Sequence, residues 1–178
     1  MFKTLATTSA IALAASAGIA AAGAAPKLTA DRVTALKTAW GEGIVNIGAV
    51  HTAGGDYSAA AREHIGQFYA YEQDTVLFKP TLASADQFRG SFDEALSYFV
   101  GGDISEDGGF AIAPYTNVRW ENEGTIINGD TALAMGNYYF TTTDGAEVKV
   151  EYTFGIAQQE DGELKIVLHH SSLPFAPT

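Results

Sequence analysis

The chain has 178 residues, no cysteine and a formal net charge of −11 at pH 7. Without cysteine the fold must stand without disulfides, and thiolate metal sites and cysteine nucleophiles are excluded. The excess of carboxylates disfavours nucleic acid and anionic membrane surfaces as partners, because both carry negative charge.

The N-terminus has the pattern of a secretory signal peptide. Lys3 is followed by an apolar, alanine-rich stretch over residues 11–22, and Ala22-Gly23-Ala24 provides a small-residue cleavage site. We therefore expect residues 1–24 to be removed on export, which places the mature protein in the periplasm if the source is a Gram-negative bacterium. The remaining residues, 25–178, are enough for one domain with its own core, and they contain no segment that could cross a membrane.

Three helices are predicted before residue 101. Thr29 is a suitable N-cap for the first helix, whose apolar residues recur at helical spacing: Val33, Leu36, Trp40, Ile44 and Ile47. Asp56 can cap a second helix that continues to about Tyr71. His64 lies on the apolar face of this helix, where packing in the core or a pocket wall is a commoner role than metal ligation. Ser91 and Glu94 form a capping box at the start of a short third helix.

From residue 110 onward the pattern changes to strands. Strands are predicted in 110–121, with an irregularity at Pro114, in 131–143, in 147–154 and from Leu164 to the C-terminal motif, and a short strand-like piece covers 75–78. Helices followed by an antiparallel meander predict an α+β domain, with the N-terminal helices packed on a curved, mainly antiparallel β-sheet. This cone-shaped fold, with an apolar pocket inside, is similar to that of the ketosteroid isomerase and nuclear-transport-factor-like superfamily.

The last predicted strand ends in His169-His170-Ser171-Ser172. Neighbouring strand residues point to opposite faces of a sheet, so His169 shares a face with Ser171 and His170 shares the other with Ser172. Simple alternation from Leu164, Ile166 and Leu168 places His170 and Ser172 on the core face. A β-bulge before the motif would reverse this assignment, so both pairs are candidates for a base beside a hydroxyl.

Four segments now carry a resemblance to a known family. They are Phe78-Lys79-Pro80-Thr81, residues 95–102, residues 109–114 and His169-His170-Ser171-Ser172-Leu173-Pro174, in this order along the chain. The chain resembles a bacterial iota-class carbonic anhydrase, a family whose domain is related to the calcium/calmodulin-dependent kinase association domain. The resemblance covers about residues 28–175, and the His-His-Ser-Ser ending is its most specific motif.

The resemblance implies an enzyme that reversibly hydrates CO2 to bicarbonate and a proton, in a homodimer. It implies a pocket that requires no metal, in which a Thr, a Tyr, a Ser and a His surround the substrate. The matching residues are Thr81, Tyr98 and one of the two His/Ser pairs. In this hypothesis the inward histidine takes the proton of the attacking water, since its unperturbed pKa lies near ambient pH, and the hydroxyls bind the nascent bicarbonate.

Three alternatives stay open at this stage. A zinc-dependent carbonic anhydrase would need His51 or His64, one C-terminal histidine and a carboxylate to converge on Zn²⁺. A non-catalytic module of the same fold would serve oligomerisation or small-ligand binding, and would have no need for His and Tyr in its cavity. An isomerase or cyclase would require a carboxylate base that projects into the pocket.

Overall fold

The computed structural model of the protein describes residues 26–177. The α-helices are α1 (Ala30–Thr52), α2 (Tyr57–Phe68) and α3 (Phe92–Val100), and a 3₁₀ turn covers Phe110–Ile112. The strands are β1 (Leu77–Lys79), β2 (Asn117–Asn128), β3 (Thr131–Thr141), β4 (Glu147–Gln158) and β5 (Leu164–Ser172). The predicted signal peptide lies outside the described residues. Within them, no helix is both long and apolar enough to span a bilayer.

The predicted helix starts are confirmed by their caps. Thr29 accepts a hydrogen bond from the Arg32 backbone N–H at 3.3 Å, and Asp56 accepts one from Ala59 at 2.9 Å. At the start of α3, the Ser91 hydroxyl and the Glu94 carboxylate bond each other's backbone N–H groups. Each cap satisfies a backbone donor that the helix itself leaves free.

Helix α2 ends at Phe68, so the prediction that it continues to about Tyr71 is wrong. Tyr69 has an extended backbone, with φ −110° and ψ 149°, and it forms an isolated parallel bridge with Ile166. The next N–H, that of Ala70, donates to the Ile166 carbonyl at 3.1 Å. Pairing with β5 therefore replaces the last helical turn, and it brings the Tyr69 side chain into the core.

The sheet is mixed and open, with strand order β1-β5-β4-β3-β2. Among the five strands of residues 26–177, β1 pairs with β5 in parallel, and the other neighbouring strands pair antiparallel. This arrangement confirms the α+β prediction, with helices packed on a mainly antiparallel sheet. Residues 110–116 do not extend β2: they form the 3₁₀ turn and an irregular segment, where Pro114 has no N–H to contribute to a ladder.

The core lies between the helices and one face of the sheet, and its centre is aromatic. Trp40 of α1, 1% exposed, has its ring within 6.4 Å of six other rings, centroid to centroid: His64, Phe110, Trp120, Tyr138, Phe154 and His169. Such rings are large apolar surfaces whose removal from water drives folding. The same core also forms the wall of the site.

Candidate active site

A cavity of about 70 Å³ opens between the inner face of the sheet and α3. Its wall is mostly aromatic and aliphatic, and the polar side chains among its lining residues come from α3, β3, β5 and two connecting loops: Thr81, Tyr98, Tyr115, Tyr138, His169 and Ser171. A single water needs roughly 10–15 Å³ of such space, so the cavity holds a molecule of a few heavy atoms together with water. No carboxylate of the described chain lines it.

A β-bulge decides which histidine faces the cavity. Gly155 of β4 pairs with Leu168 and Ile156 pairs with Ile166, so Val167 is left without a partner. The extra residue shifts the alternation, and His169 and Ser171 become 2% and 3% exposed. The expectation from simple alternation, that His170 and Ser172 face the core, is wrong. His170 is exposed, and the Ser172 hydroxyl donates to Glu151 on the outer face at 2.9 Å.

Thr81 and Ser171 meet across the end of the sheet. Parallel pairing of β1 with β5 sets Phe78 opposite His169 and Lys79 opposite His170, and Pro80 then ends the strand. Thr81 follows, and its hydroxyl donates to the Ser171 hydroxyl at 2.9 Å. The position of Thr81 beside Ser171 therefore depends on β1, a strand of three residues.

Tyr98 reaches the same cavity from α3. Its hydroxyl oxygen accepts a hydrogen bond from the Leu82 backbone N–H at 3.4 Å. Burial raises the pKa of Tyr98 to about 12, so its phenol stays protonated and can donate at neutral pH. Of the six predicted site residues, the structure thus brings four together: Thr81, Tyr98, His169 and Ser171.

His169 is held by two tyrosines that were not among the predicted site residues. Its Nδ1 lies 2.8 Å from the Tyr69 hydroxyl, and its Nε2 lies 3.3 Å from the Tyr138 hydroxyl. Its ring stacks on Phe78 at 4.9 Å. Burial, and secondarily the charge of His170, lower the pKa of His169 to about 3, so the imidazole is neutral at ambient pH.

The sequence carried a signal for one of these tyrosines only. Tyr138 has the same parity on β3 as the buried Ala132, Ala134 and Phe140, so alternation would place it on the inner face. The sequence pattern predicts Tyr69 as part of the helix, and that prediction gives no reason to expect its pairing with β5.

The other histidines do not converge with His169. His51 packs edge-on against Tyr57 near the C-terminal end of α1, with ring centroids 4.8 Å apart. His64 lies between Phe68 and Phe99, and neither of its ring nitrogens has a hydrogen-bond partner. Across residues 26–177, no group of three or more His, Cys, Asp or Glu side chains is placed to hold a metal ion. The donor set required by the zinc alternative is therefore not assembled here.

Comparison with known proteins decides the family. The family model for metal-independent carbonic anhydrases matches residues 31–173. The chain belongs to this family. A metal-independent carbonic anhydrase from Nostoc sp. (strain PCC 7120 / SAG 25.82 / UTEX 2576) is 40% identical over 153 residues, which cover 83% of this chain and 75% of the relative.

Solved structures agree with this assignment. The crystal structure of an iota-carbonic anhydrase from a cyanobacterium, complexed with bicarbonate, has a TM-score of 0.82 and 38% identity, and the match covers 85% of this chain and 95% of that one. A Xanthomonas campestris protein assigned as a calcium/calmodulin-dependent protein kinase II association domain has a TM-score of 0.57 and 19% identity, covering 83% and 89% of the two chains. The second likeness shows the shared fold alone.

These findings confirm the resemblance to the iota class. The protein is a carbonic anhydrase, a lyase that reversibly hydrates CO2 to bicarbonate and a proton. Its family is metal-independent, so no metal cofactor is required and the zinc-dependent alternative is not favoured. Membership of an enzyme family likewise disfavours a module that serves only for assembly.

Proposed function

We propose that CO2 is hydrated in the cavity described above, and that Thr81, Tyr98, His169 and Ser171 form the site. The observation that carries this proposal is the Thr81–Ser171 hydroxyl pair, whose oxygens lie 2.9 Å apart against a mostly aromatic and aliphatic wall. CO2 is small and apolar, and an apolar pocket can hold it with few polar contacts. The similar cyanobacterial enzyme has been crystallised with bicarbonate, which supports the same ligand for this chain.

Two hydroxyl hydrogens are available for the substrate. The Ser171 oxygen accepts from Thr81, and the Tyr98 oxygen accepts from the Leu82 N–H. As water attacks carbon, an O–C bond forms and one C=O electron pair moves onto oxygen. Donors positioned beforehand stabilise that developing negative charge.

The proposal is tested by stopped-flow CO2 hydration with the mature chain, before and after exhaustive chelation, with metal content measured on the same samples. We expect the turnover rate to be unchanged in metal-free protein, because the proposed site uses hydroxyl and imidazole groups only. Activity lost on chelation and restored by Zn²⁺ would make this chain a metalloenzyme. Absence of hydration in both samples would assign the cavity to ligand binding.

We also propose that the protein is a homodimer formed through the outer face of the sheet. Pairing across all five strands aligns an apolar row there: Leu77, Leu168, Gly155, Leu133 and Ile126. Leu77, Leu133 and Ile126 are 62%, 54% and 68% exposed. An uninterrupted apolar row is an unusual surface for a monomer, and a second copy can cover it with the same row through a two-fold axis.

The dimer prediction is checked by sedimentation velocity of the wild type and of Leu133→Glu. We expect a dimeric wild type and a monomeric variant, because a carboxylate within the row would be buried without a partner. Phe175→Glu is the matched control: Phe175 is 89% exposed and lies beyond the sheet, so its variant should remain dimeric. A monomeric wild type, or a dimeric Leu133→Glu, would contradict the proposed interface.

For the N-terminus we propose that residues 1–24 direct export and are removed, which leaves the enzyme in the periplasm. The alanine-rich segment and the Ala22-Gly23-Ala24 site support this. The mass of the chain recovered from a periplasmic extract tests the proposal, and an intact N-terminus would contradict it.

A further inference from the structure

A series of buried hydrogen bonds runs from α1 to the cavity. Its first donor, Trp40, determines the direction in which the hydrogens are donated. The Trp40 Nε1–H lies 3.1 Å from the Tyr69 hydroxyl, and the indole nitrogen can only donate. The Tyr69 oxygen therefore accepts from Trp40, and the hydroxyl hydrogen of Tyr69 is free to donate to Nδ1 of His169, 2.8 Å away. The three side chains are at most 2% exposed, so water does not replace these partners.

The direction of hydrogen-bond donation is then set at the imidazole of His169. A neutral histidine has one donor nitrogen and one acceptor nitrogen, so acceptance at Nδ1 places the ring hydrogen on Nε2. Nε2–H donates to the Tyr138 oxygen at 3.3 Å. Tyr138 itself lines the cavity, together with Ser171 and Thr81.

The opposite tautomer leaves a buried group unsatisfied. With hydrogen on Nδ1, the Tyr69 oxygen would receive two donors, from Trp40 and from His169. The Tyr69 hydroxyl hydrogen would then have no acceptor among the contacts of the described residues. A buried polar group without a partner is destabilising, and this penalty favours the Nε2–H form.

We propose that Tyr69 is a positioning residue for CO2 hydration: together with Trp40 it fixes His169 as the Nε2–H tautomer, so that His169 donates to Tyr138 at the wall of the cavity. This inference rests on the proposed function of the cavity. It assigns His169 a different role from the proton acceptor expected from the sequence, because the nitrogen nearer the cavity already carries its hydrogen.

Hydrogen-bond donation in this direction favours the negative charge that develops on oxygen during the reaction. From Trp40 through Tyr69 and His169 to Tyr138, each hydrogen points toward the cavity, so each bond polarises the next in the same sense. The cavity end of the series then favours a developing oxyanion over neutral CO2, which is the condition for catalysis by differential binding. Because Nε2 of His169 already carries its hydrogen, the proton released from the attacking water is taken by a second water molecule, which enters at the rim, where Leu82 and Leu173 are 66% and 55% exposed.

The test is ¹⁵N NMR of the mature enzyme labelled at histidine, with the His169 resonances assigned from a His169→Gln sample. In the wild type we expect a protonated Nε2 and an unprotonated, hydrogen-bonded Nδ1. In Tyr69→Phe, Nδ1 loses its donor, and we expect a mixture of tautomers. We expect kcat for CO2 hydration to fall about 10–100-fold with little change in KM, as for other residues that orient a functional histidine.

Tyr71→Phe is the matched control, since it also removes one hydroxyl. Tyr71 packs on Tyr69 with ring centroids 5.9 Å apart, but its hydroxyl donates to the Arg89 carbonyl at 2.7 Å and takes no part in the series. Its tautomer spectrum and kcat should match the wild type.

The outcomes separate the two proposals. A protonated Nδ1 in the wild type would overturn the tautomer assignment even if the enzyme is active. A Tyr69→Phe variant that keeps both the Nε2–H spectrum and the wild-type kcat would overturn the positioning role. An Nε2–H tautomer in a wild type that does not hydrate CO2 would overturn the catalytic part of the inference along with the proposed function.

Discussion

Replacement of Ser171 by alanine is expected to lower kcat for CO2 hydration about 10²–10³-fold, the usual effect of removing one donor that stabilises a developing oxyanion. The Ser171 hydroxyl accepts from Thr81 at 2.9 Å and has its own hydrogen available in the cavity. Alanine removes that donor and leaves the Thr81 hydroxyl without its acceptor. Stopped-flow assays of purified enzyme measure the loss directly.

The neighbouring serine provides a control that differs by one position. Ser172 lies on the same strand, but its hydroxyl donates to Glu151 on the outer face. Ser172→Ala should therefore keep kcat within about twofold of the wild type, because a surface hydroxyl contributes little to function or stability. Equal losses in both variants would argue against a site on the inner face, and unchanged activity in Ser171→Ala would remove this hydroxyl from the mechanism.

The position of the site could be predicted from the sequence, but the face of the strand could not be read from alternation alone. The bulge at Val167 determines which face of β5 carries the site, but the residue type of Val167 does not predict a bulge. The relevant signal is on the neighbouring strand: Gly155 pairs with Leu168, and a Cβ on this glycine would lie 2.9 Å from the Leu168 Cβ. A glycine inside an alternating strand is a known sign of a bulge or close approach.

The second bulge of the sheet follows the same rule. Asn122 of β2 pairs with Gly136 and Gly124 pairs with Met135, so Glu123 is left without a partner. A Cβ on Gly136 would collide with the Glu121 carbonyl oxygen. In both places the signal for an irregular strand lies in the partner strand, and it becomes readable only once the pairing is known.

Predictions that depend on residues close together in the chain were more successful than those that depend on distant residues. The caps at Thr29, Asp56 and Ser91 depend on residues within one helical turn, and all three are confirmed. Tyr69 depends on Ile166, almost one hundred positions away in the chain, and its departure from the helix was missed. The hydrogen bond between Tyr69 and His169 belongs to this second class, because a contact between distant elements leaves no periodic pattern in the sequence.

Replacement of Asp107 by alanine is expected to lower the free energy of unfolding by about 3–5 kcal/mol, the range observed when one partner of a buried ion pair is removed. Asp107 Oδ1 lies 2.6 Å from a guanidinium nitrogen of Arg89, and the two side chains are 1% and 0% exposed. Without Asp107, the buried guanidinium keeps its hydrogen bonds to the Asp86 and Phe88 carbonyls but loses its closest carboxylate. Urea unfolding followed by tryptophan fluorescence measures the change.

The ion pair between Arg62 and Asp93 is the control for this prediction. These groups are 3.8 Å apart, with side chains 54% and 84% exposed, and exposed pairs contribute less than about 1 kcal/mol. Asp93→Ala should therefore unfold close to the wild-type midpoint. A loss below about 1 kcal/mol in Asp107→Ala would show that water or another carboxylate replaces Asp107.

The stability of this pair also bears on catalysis. Arg89 closes the loop between β1 and α3, where its backbone N–H donates to the Phe78 carbonyl at 2.8 Å, and the same loop carries Thr81. Loss of Asp107 should consequently lower kcat as well, through a less ordered Thr81. Because that defect comes from disorder of the loop and leaves the chemical groups intact, it should shrink on cooling, whereas the defect of Ser171→Ala should persist at every temperature.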